Sequence, residues 1–221
     1  MLGMKLIFPP RPKSKMSPAD LPYYESTGEW LAQRKFRGSN CVIYISKDRQ
    51  ITCGSRHGKP FARFDLNQNY CDEIISSLNL NDNLDYWFNG ELMNKDINST
   101  NEIILFDILQ AGRYFFGNPN QHERLKLLYE ICGQPQKLCE TGIAFQVSDR
   151  LRLAEVFTKD FSARFEESLP NPQLEGLVLR KKGSALDNLG NFEYETANLL
   201  RCRKPFGCDT PKKGRSGGYV L

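Results

Sequence analysis

The feature that most limits what this chain can become is a succession of short apolar runs, five to eight residues long, cut apart by turn-forming residues. EWLAQRKF (29–36) and CVIYIS (41–46) are separated by Gly38-Ser39-Asn40, and QITCG (50–54) follows after Lys47-Asp48-Arg49. YWFNGELM (86–93), EIILFDIL (102–109), Leu174 to Leu179 and Ala197 to Arg203 have the same character. Runs of this length rich in β-branched and aromatic residues predict strands. Helical spacing is confined to three stretches. Residues 67 to 78 place Ile74, Ile75 and Leu78 on one side, and Asn120 can cap a helix running to Cys132. Ser148 can cap a longer one in which Leu153, Phe157, Phe161 and Phe165 recur every four residues. Residues 5 to 22 carry Pro9, Pro10, Pro12, Pro18 and Pro22 and predict an extended lead-in. Many strands with few strand–helix–strand alternations predict an α+β fold. No run approaches the roughly 20 apolar residues of a membrane helix.

A chain of 221 residues has room for one large domain, or for one domain and a small appendage. Its seven cysteines form no C-x-x-C pair, which argues against a zinc ribbon and a disulfide framework. The two histidines, His57 and His122, are far apart, so acid–base or nucleophilic chemistry must rest mainly on other side chains. The net charge of +4 permits a polyanionic partner without requiring one. The N-terminus places its apolar residues before most of its charges, the wrong order for a secretion signal. That order predicts an intracellular protein, cytoplasmic, nucleoid-associated or nuclear, and compatible with a phage or viral source.

Five segments carry residues suited to chemistry, and their order is more informative than any one of them. They are Lys35-Phe36-Arg37-Gly38, Ser55-Arg56-His57-Gly58, Phe88-Asn89-Gly90-Glu91-Leu92, Leu105-Phe106-Asp107-Ile108-Leu109, and Glu175-Gly176-Leu177-Val178-Leu179-Arg180. A basic strand end, Leu199-Leu200-Arg201-Cys202-Arg203-Lys204, closes the series. The series resembles the covalent nucleotidyltransferases: ATP-dependent DNA ligases, RNA ligases and mRNA capping enzymes. Their order is a K-x-D/N-G nucleophile motif, a downstream arginine, h-x-G-E, an aromatic-Asp strand, E-G-h-h-h-K and a final K-x-K. The resemblance covers about residues 29 to 205, and the PPRPK lead-in and the WLAQ before Lys35 look most like small DNA ligase-like adenylation domains. It implies two packed antiparallel sheets flanked by helices around a nucleotide cleft, the DNA ligase adenylation fold, akin to ATP-grasp. The nucleotidyltransferase domain would occupy residues 1–205, and 206–221 would form a basic, flexible tail.

The resemblance also implies roles. Lys35 is the nucleophile. An amine attacks phosphorus only when neutral, and nearby cations favour that form. Strand alternation puts Arg37 on the face of Lys35, where it can also grip phosphate. Arg56 matches the arginine that binds phosphate or ribose, and Glu91 the glutamate that holds the ribose. Phe106 matches the aromatic that stacks on the purine. Glu175 handles metal and phosphate, and Arg201 and Arg203 reach the α-phosphate. The nucleotide is ATP and the metal Mg²⁺ or Mn²⁺, shared between phosphates and the carboxylates Glu91 and Glu175, since magnesium favours few protein oxygens. The partner is a nucleic acid with a 5′-phosphate end, nicked DNA or RNA, bound by a monomer without membrane. Taken one at a time, these residues have plainer readings: a surface lysine, a solvent-facing glutamate, a core phenylalanine, a basic strand end.

The departures from the pattern are Arg37 for Asp or Asn, Asn40 for Arg, Asn89 for Asp, and Arg-Cys-Arg for Lys-x-Lys. The lysine and both glutamates remain, so the departures bear on the sealing steps more than on adenylation. Only 16 residues follow Pro205, too few for the oligonucleotide-binding barrel that usually comes next. Three readings follow: a DNA-sealing ligase, an RNA ligase or capping guanylyltransferase, and a degenerate domain that binds nucleotide or nucleic-acid ends without catalysis.

Overall fold

The turn-punctuated runs fold as strands in chain order, joined by four helices. The computed structural model describes residues 8–61, 64–94, 100–112, 119–186 and 193–205. The tail expected over 206–221 lies outside them. The elements are β1 (Arg11–Met16), α1 (Leu21–Ser26), β2 (Trp30–Phe36), β3 (Ser39–Ile45), β4 (Ile51–Ser55), α2 (Gln68–Ser77), β5 (Tyr86–Leu92), β6 (Ile103–Ala111), α3 (Gln121–Ile131), β7 (Phe145–Gln146), β8 (Leu151–Leu153), α4 (Phe161–Ser168), β9 (Leu174–Lys181) and β10 (Glu195–Arg203).

The strands form two sheets, one of four in the order β1-β10-β9-β2 and one of six in the order β4-β3-β5-β6-β8-β7. The fold is α+β, as expected. Each sheet is mixed and not antiparallel throughout: β1 runs parallel to β10, and β6 to β8. Both parallel pairs join segments far apart in the chain, so no hairpin signal announces them.

Two local expectations change. The lead-in is extended only as far as Met16. Ser17 then caps a short 3₁₀ turn, Pro18–Asp20, through a reciprocal bond with Asp20, and α1 begins at once. Pro18 and Pro22 occupy first-turn positions, where a missing N–H costs no hydrogen bond. The long helix expected from Ser148 is a strand, a connector and a short helix. The Ser148 hydroxyl accepts from the N–H of Arg150 and of Leu151 in a tight turn. Leu151–Leu153 then gains β6 as a partner, and Phe157 pairs with Ala32 at the edge of β2. Helix α4 starts only after Asp160, in the left-handed region, with the Glu25 carboxylate accepting from the N–H of Asp160 and Phe161. The four-residue spacing is a coincidence of three elements whose partners all lie elsewhere. The other two helices match expectation, Asn67 capping α2 and Asn120 capping α3.

Buried side chains secure the two sheets separately. Ile43, Phe88, Ile103 and Leu105 of the larger sheet pack with Ile74 of α2 and Leu125 and Leu128 of α3. Trp30, Ala32, Leu177 and Leu179 of the smaller sheet pack with Leu21 of α1 and Phe161 and Phe165 of α4. Burying each large apolar side chain contributes about 1.5–3 kcal/mol. A third cluster, including Phe36, Leu174, Ile104 and Ala154, joins the sheets at one end. Among the described residues, no helix is long and apolar enough to cross a membrane.

Candidate active site

Alternation along the strands decides which side chains leave these cores and face the space between the sheets. From the smaller sheet come Gln33 and Lys35 of β2, Val178 and Arg180 of β9, and Leu199, Arg201 and Arg203 of β10. From the larger sheet come Asn40, Asn89, Glu91 and Phe106, with the Ser55–His57 turn at the edge. Together they line a cavity of about 460 Å³, within the size range of small-molecule sites.

Lys35 and Arg203 both lie opposite Gly176, from the two sides of β9. This register brings them to one carboxylate oxygen. Glu175 Oε2 is 2.6 Å from Lys35 Nζ and 3.4 Å from the Arg203 guanidinium. Gly176 makes the approach possible: at φ 124° a side chain there would be strained, and a Cβ would stand 2.1 Å from the Cys202 carbonyl oxygen. A second glycine joins the Lys35 segment to the opposite sheet. A Cβ on Gly38 would lie 2.4 Å from Leu92 O, and in its absence the Gly38 N–H donates to Glu91 Oε1 at 2.9 Å. The Lys-x-x-Gly and Gly-Glu segments are thus two halves of one contact.

Arg56 sits in the turn after β4 and faces the cleft beside His57, its Nε 3.3 Å from His57 Nε2. Phe106 is half-buried on the opposite wall, with the Arg180 guanidinium 5.1 Å from its ring centroid. The cleft therefore gathers Lys35, Arg56, Glu91, Phe106, Arg201 and Arg203, with Glu175 bonded to Lys35. Arg37 is placed differently. It follows the end of β2, past a register irregularity between Lys35 and Phe36, its N–H bonds Gln173 O at 2.8 Å, and it does not line the cleft.

The wall holds a network that the motif series does not show. Asp107, beside Phe106, points the other way into the protein, where its carboxylate accepts from Arg124 Nε at 3.1 Å and from Arg180 at 3.3 Å. All three side chains are buried. Arg180 Nε also donates to Gln33 Oε1 at 2.6 Å, while Gln33 Nε2 donates to Phe106 O. Burial lowers the proton affinity of Arg180, and Asp107 opposes that effect. Gln33 was within reach of sequence reasoning, since it lies two residues before Lys35 on one strand. Arg124, in the middle of an amphipathic helix, carries no signal of its own.

The cleft is electropositive. The Arg201 guanidinium has its proton affinity lowered by burial first, then by Arg203 and Arg11, with Glu195 opposing the shift and Arg56 adding to it. Its buried Nε has no hydrogen-bond partner. A buried donor in a crowd of like charges is poorly satisfied by protein alone, and an anion would complete it. Metal donors are sparse: among the described residues, no group of three or more His, Cys, Asp or Glu side chains converges. Glu91 and Glu175 alone suit an ion that takes most of its ligands from phosphate and water.

Neither protein-family models nor curated proteins match this sequence. Solved structures do match its backbone. The ligase domain of LigD from M. tuberculosis aligns with a TM-score of 0.53 at 15% identity, over 77% of this chain and 52% of that one. The fold is that of a ligase domain. A structure named Pmar-Lig_PreS3 aligns at a TM-score of 0.56 and 14% identity, over 90% of this chain and 47% of that one. A mycobacterial DNA ligase D complexed with ATP and MES gives 0.50 and 15%, over 79% and 54%. At such identities the likeness is one of fold, and the chain spans about half the length of the solved structures it matches. The two mixed sheets with the cleft between them are what it shares with them.

Proposed function

We propose that this chain is an ATP-dependent, ligase-type nucleotidyltransferase whose residues 1–205 form the adenylating unit. The observation that carries the reading is Lys35 at the floor of an electropositive cleft, bonded to a Glu175 oxygen that also meets Arg203, with Glu91 and Phe106 on the facing wall. In the first step the Lys35 Nζ lone pair attacks the α-phosphorus of ATP, and the bond from that phosphorus to the bridging oxygen breaks to release pyrophosphate. Lys35 gives up a proton, and Glu175 Oε2 is the base already in contact with it. Arg201 and Arg203 stabilise charge developing on the phosphate oxygens. Phe106, braced by Arg180, offers its open face to the purine, and Glu91 accepts from the ribose. Mg²⁺ or Mn²⁺ held by Glu91, Glu175 and phosphate oxygens would supply neutralisation of the leaving pyrophosphate.

In the second step an oxygen of a 5′-phosphate end attacks the same phosphorus, and the P–N bond to Lys35 breaks. A 3′-hydroxyl then displaces AMP and joins the strands. That one structure of the same fold is a DNA ligase D complexed with ATP favours ATP over GTP and DNA over RNA. The test is incubation with α-labelled ATP and a divalent metal, denaturation, and detection of a labelled 25.4 kDa band. Label from GTP alone would make the chain a capping-type enzyme, and label from neither would leave a binding domain. Nicked DNA against nicked RNA then reports the sealing substrate.

A second expectation concerns Arg201. A hydrogen bond to a charged group contributes about 1.5–3 kcal/mol, so Arg201→Gln is expected to weaken ATP binding roughly tenfold or more. Because the substitution also relieves repulsion from Arg203, Arg11 and Arg56, thermal stability should hold or rise slightly. Calorimetric titration with ATP and a melting curve of the same protein check both halves.

A further inference from the structure

We infer that Arg11, Arg56, His57 and Arg201 form a phosphate site that bridges the two sheets and is held, in this conformation, by an intrachain carboxylate, Glu193. The inference rests on reading the cleft as a site for nucleotide and nucleic acid, and extends it to a second anion position. Glu193 lies just ahead of β10 and is anchored through β1: the Arg11 N–H donates to Tyr194 O at 3.0 Å, and Arg11 Nη1 donates to Glu193 Oε2 at 3.0 Å. From there the carboxylate reaches the other sheet. Its Oε1 stands 2.7 Å from His57 Nδ1 and 3.8 Å from Arg56 Nε, both in the turn after β4.

Three features mark this carboxylate as a resident that a better anion replaces. It is only half satisfied, because buried Oε1 makes no aligned hydrogen bond and its contact with His57 is one of proximity. The cations outnumber it: Arg11 and Arg56 converge on one carboxylate, and both also act on Arg201, whose Nε lacks a partner. The groups are also accessible, with Arg11, Arg56 and Glu193 side chains 35%, 34% and 31% exposed, so the pairs are screened and exchangeable. A phosphate carries more charge than a carboxylate and has three strong acceptor oxygens, enough to serve donors from both sheets at once.

The site lies to one side of the reacting centre, in the same cleft, and shares Arg201 with it. β1 and β2 are opposite edges of the four-stranded sheet, three strand spacings or about 14 Å apart, so Arg11 and Lys35 start from its two ends. The ligand is a phosphate group, from the distal phosphates of the nucleotide or from the nucleic-acid strand.

The test uses the full chain as wild type, Glu193→Gln and the double variant Glu193→Gln/Arg11→Gln. Affinities are measured for ATP, for AMP, and for a nicked duplex with and without its 5′-phosphate. Removing the resident charge is expected to tighten binding of one phosphate ligand by about fivefold, and the added Arg11→Gln to reverse the gain. Tightening for ATP but not AMP assigns the site to the nucleotide's distal phosphates, and tightening for duplex assigns it to the strand. Unchanged or weakened affinity for both ligand classes overturns the proposal. If Glu193→Gln melts well below wild type, Glu193→Ala, which also removes the charge, takes its place with the same expected gain. Covalent labelling of Lys35 is scored separately: tighter phosphate binding without any labelled protein would retain the site and remove the nucleotidyltransferase reading.

Discussion

Lys35→Ala protein incubated with α-labelled ATP and Mg²⁺ is expected to yield no covalent adduct, a loss on the order of 10⁶ in the rate of labelling, as for removal of other catalytic nucleophiles. The size of the effect follows from the placement of the lysines. Of those described, Lys35 alone lines the cleft. Lys204, next to the final motif, spends its Nζ on the Asn171 carbonyl at 2.7 Å, Lys182 donates to Gly28 O, and Lys181 pairs with Glu29. Among the described residues no neighbouring lysine is placed to take over. Non-covalent ATP binding should survive, because Arg201, Arg203, Glu91 and Phe106 are untouched, though Glu175 would lose the nearer of its two cations and weaken it modestly. Lys35→Arg keeps the charge beside Glu175 without a competent nucleophile, so it should bind ATP nearly as wild type and still take no label. A labelled band in either variant would move the nucleophile elsewhere.

How far the sequence led depends on whether each contact is local. The strands containing Lys35, Glu91, Phe106 and Glu175 were legible because alternation and turn residues are properties of a few neighbours. So was the spacing of Lys35 and Gly38, although its reason, the approach of Gly38 to Leu92 and Glu91, belongs to the folded state. The parallel pairs were not legible, since β1 meets β10 across about 180 residues of chain. The false helix over 148–165 had a correct period but lacked its partners, β6, Ala32 and Glu25. Arg37 shows the limit of alternation: the rule holds to the end of the strand, and β2 ends one residue before it. Arg11 and Glu193 were invisible for the same reason as the parallel pair that joins them.

The buried Arg124–Asp107–Arg180 network leads to the second large effect. Asp107→Ala is expected to destabilise the protein by about 3–5 kcal/mol, the usual cost of leaving buried charges without their partner. At about 2–4 °C per kcal/mol for a chain of this size, the melting temperature should fall by roughly 10 °C. The asymmetry of the network sets the direction. One carboxylate, 1% exposed, accepts from two guanidiniums and also from the N–H of Ile108. Without it, Arg124 keeps the Gln121, Pro119 and Ser184 oxygens, but Arg180 retains only Gln33 among its side-chain acceptors. Two like charges then face each other in a site with little water. Asp107→Asn keeps the shape and one acceptor oxygen, so it should cost less than alanine while still losing the charge. Function should follow stability only in part. Held by Gln33 alone once Asp107 is gone, Arg180 braces the Phe106 ring less firmly, so ATP affinity should fall even at temperatures where the variant is fully folded. A double-mutant cycle with Arg124→Met separates the two roles: the stability terms should couple strongly, because Met removes one of the orphaned charges, whereas the loss of ATP affinity should remain. A melting temperature within about 2 °C of wild type for Asp107→Ala, less than a 1 kcal/mol change, would mean that water reaches the two guanidiniums, and that the cleft wall is not held by this carboxylate.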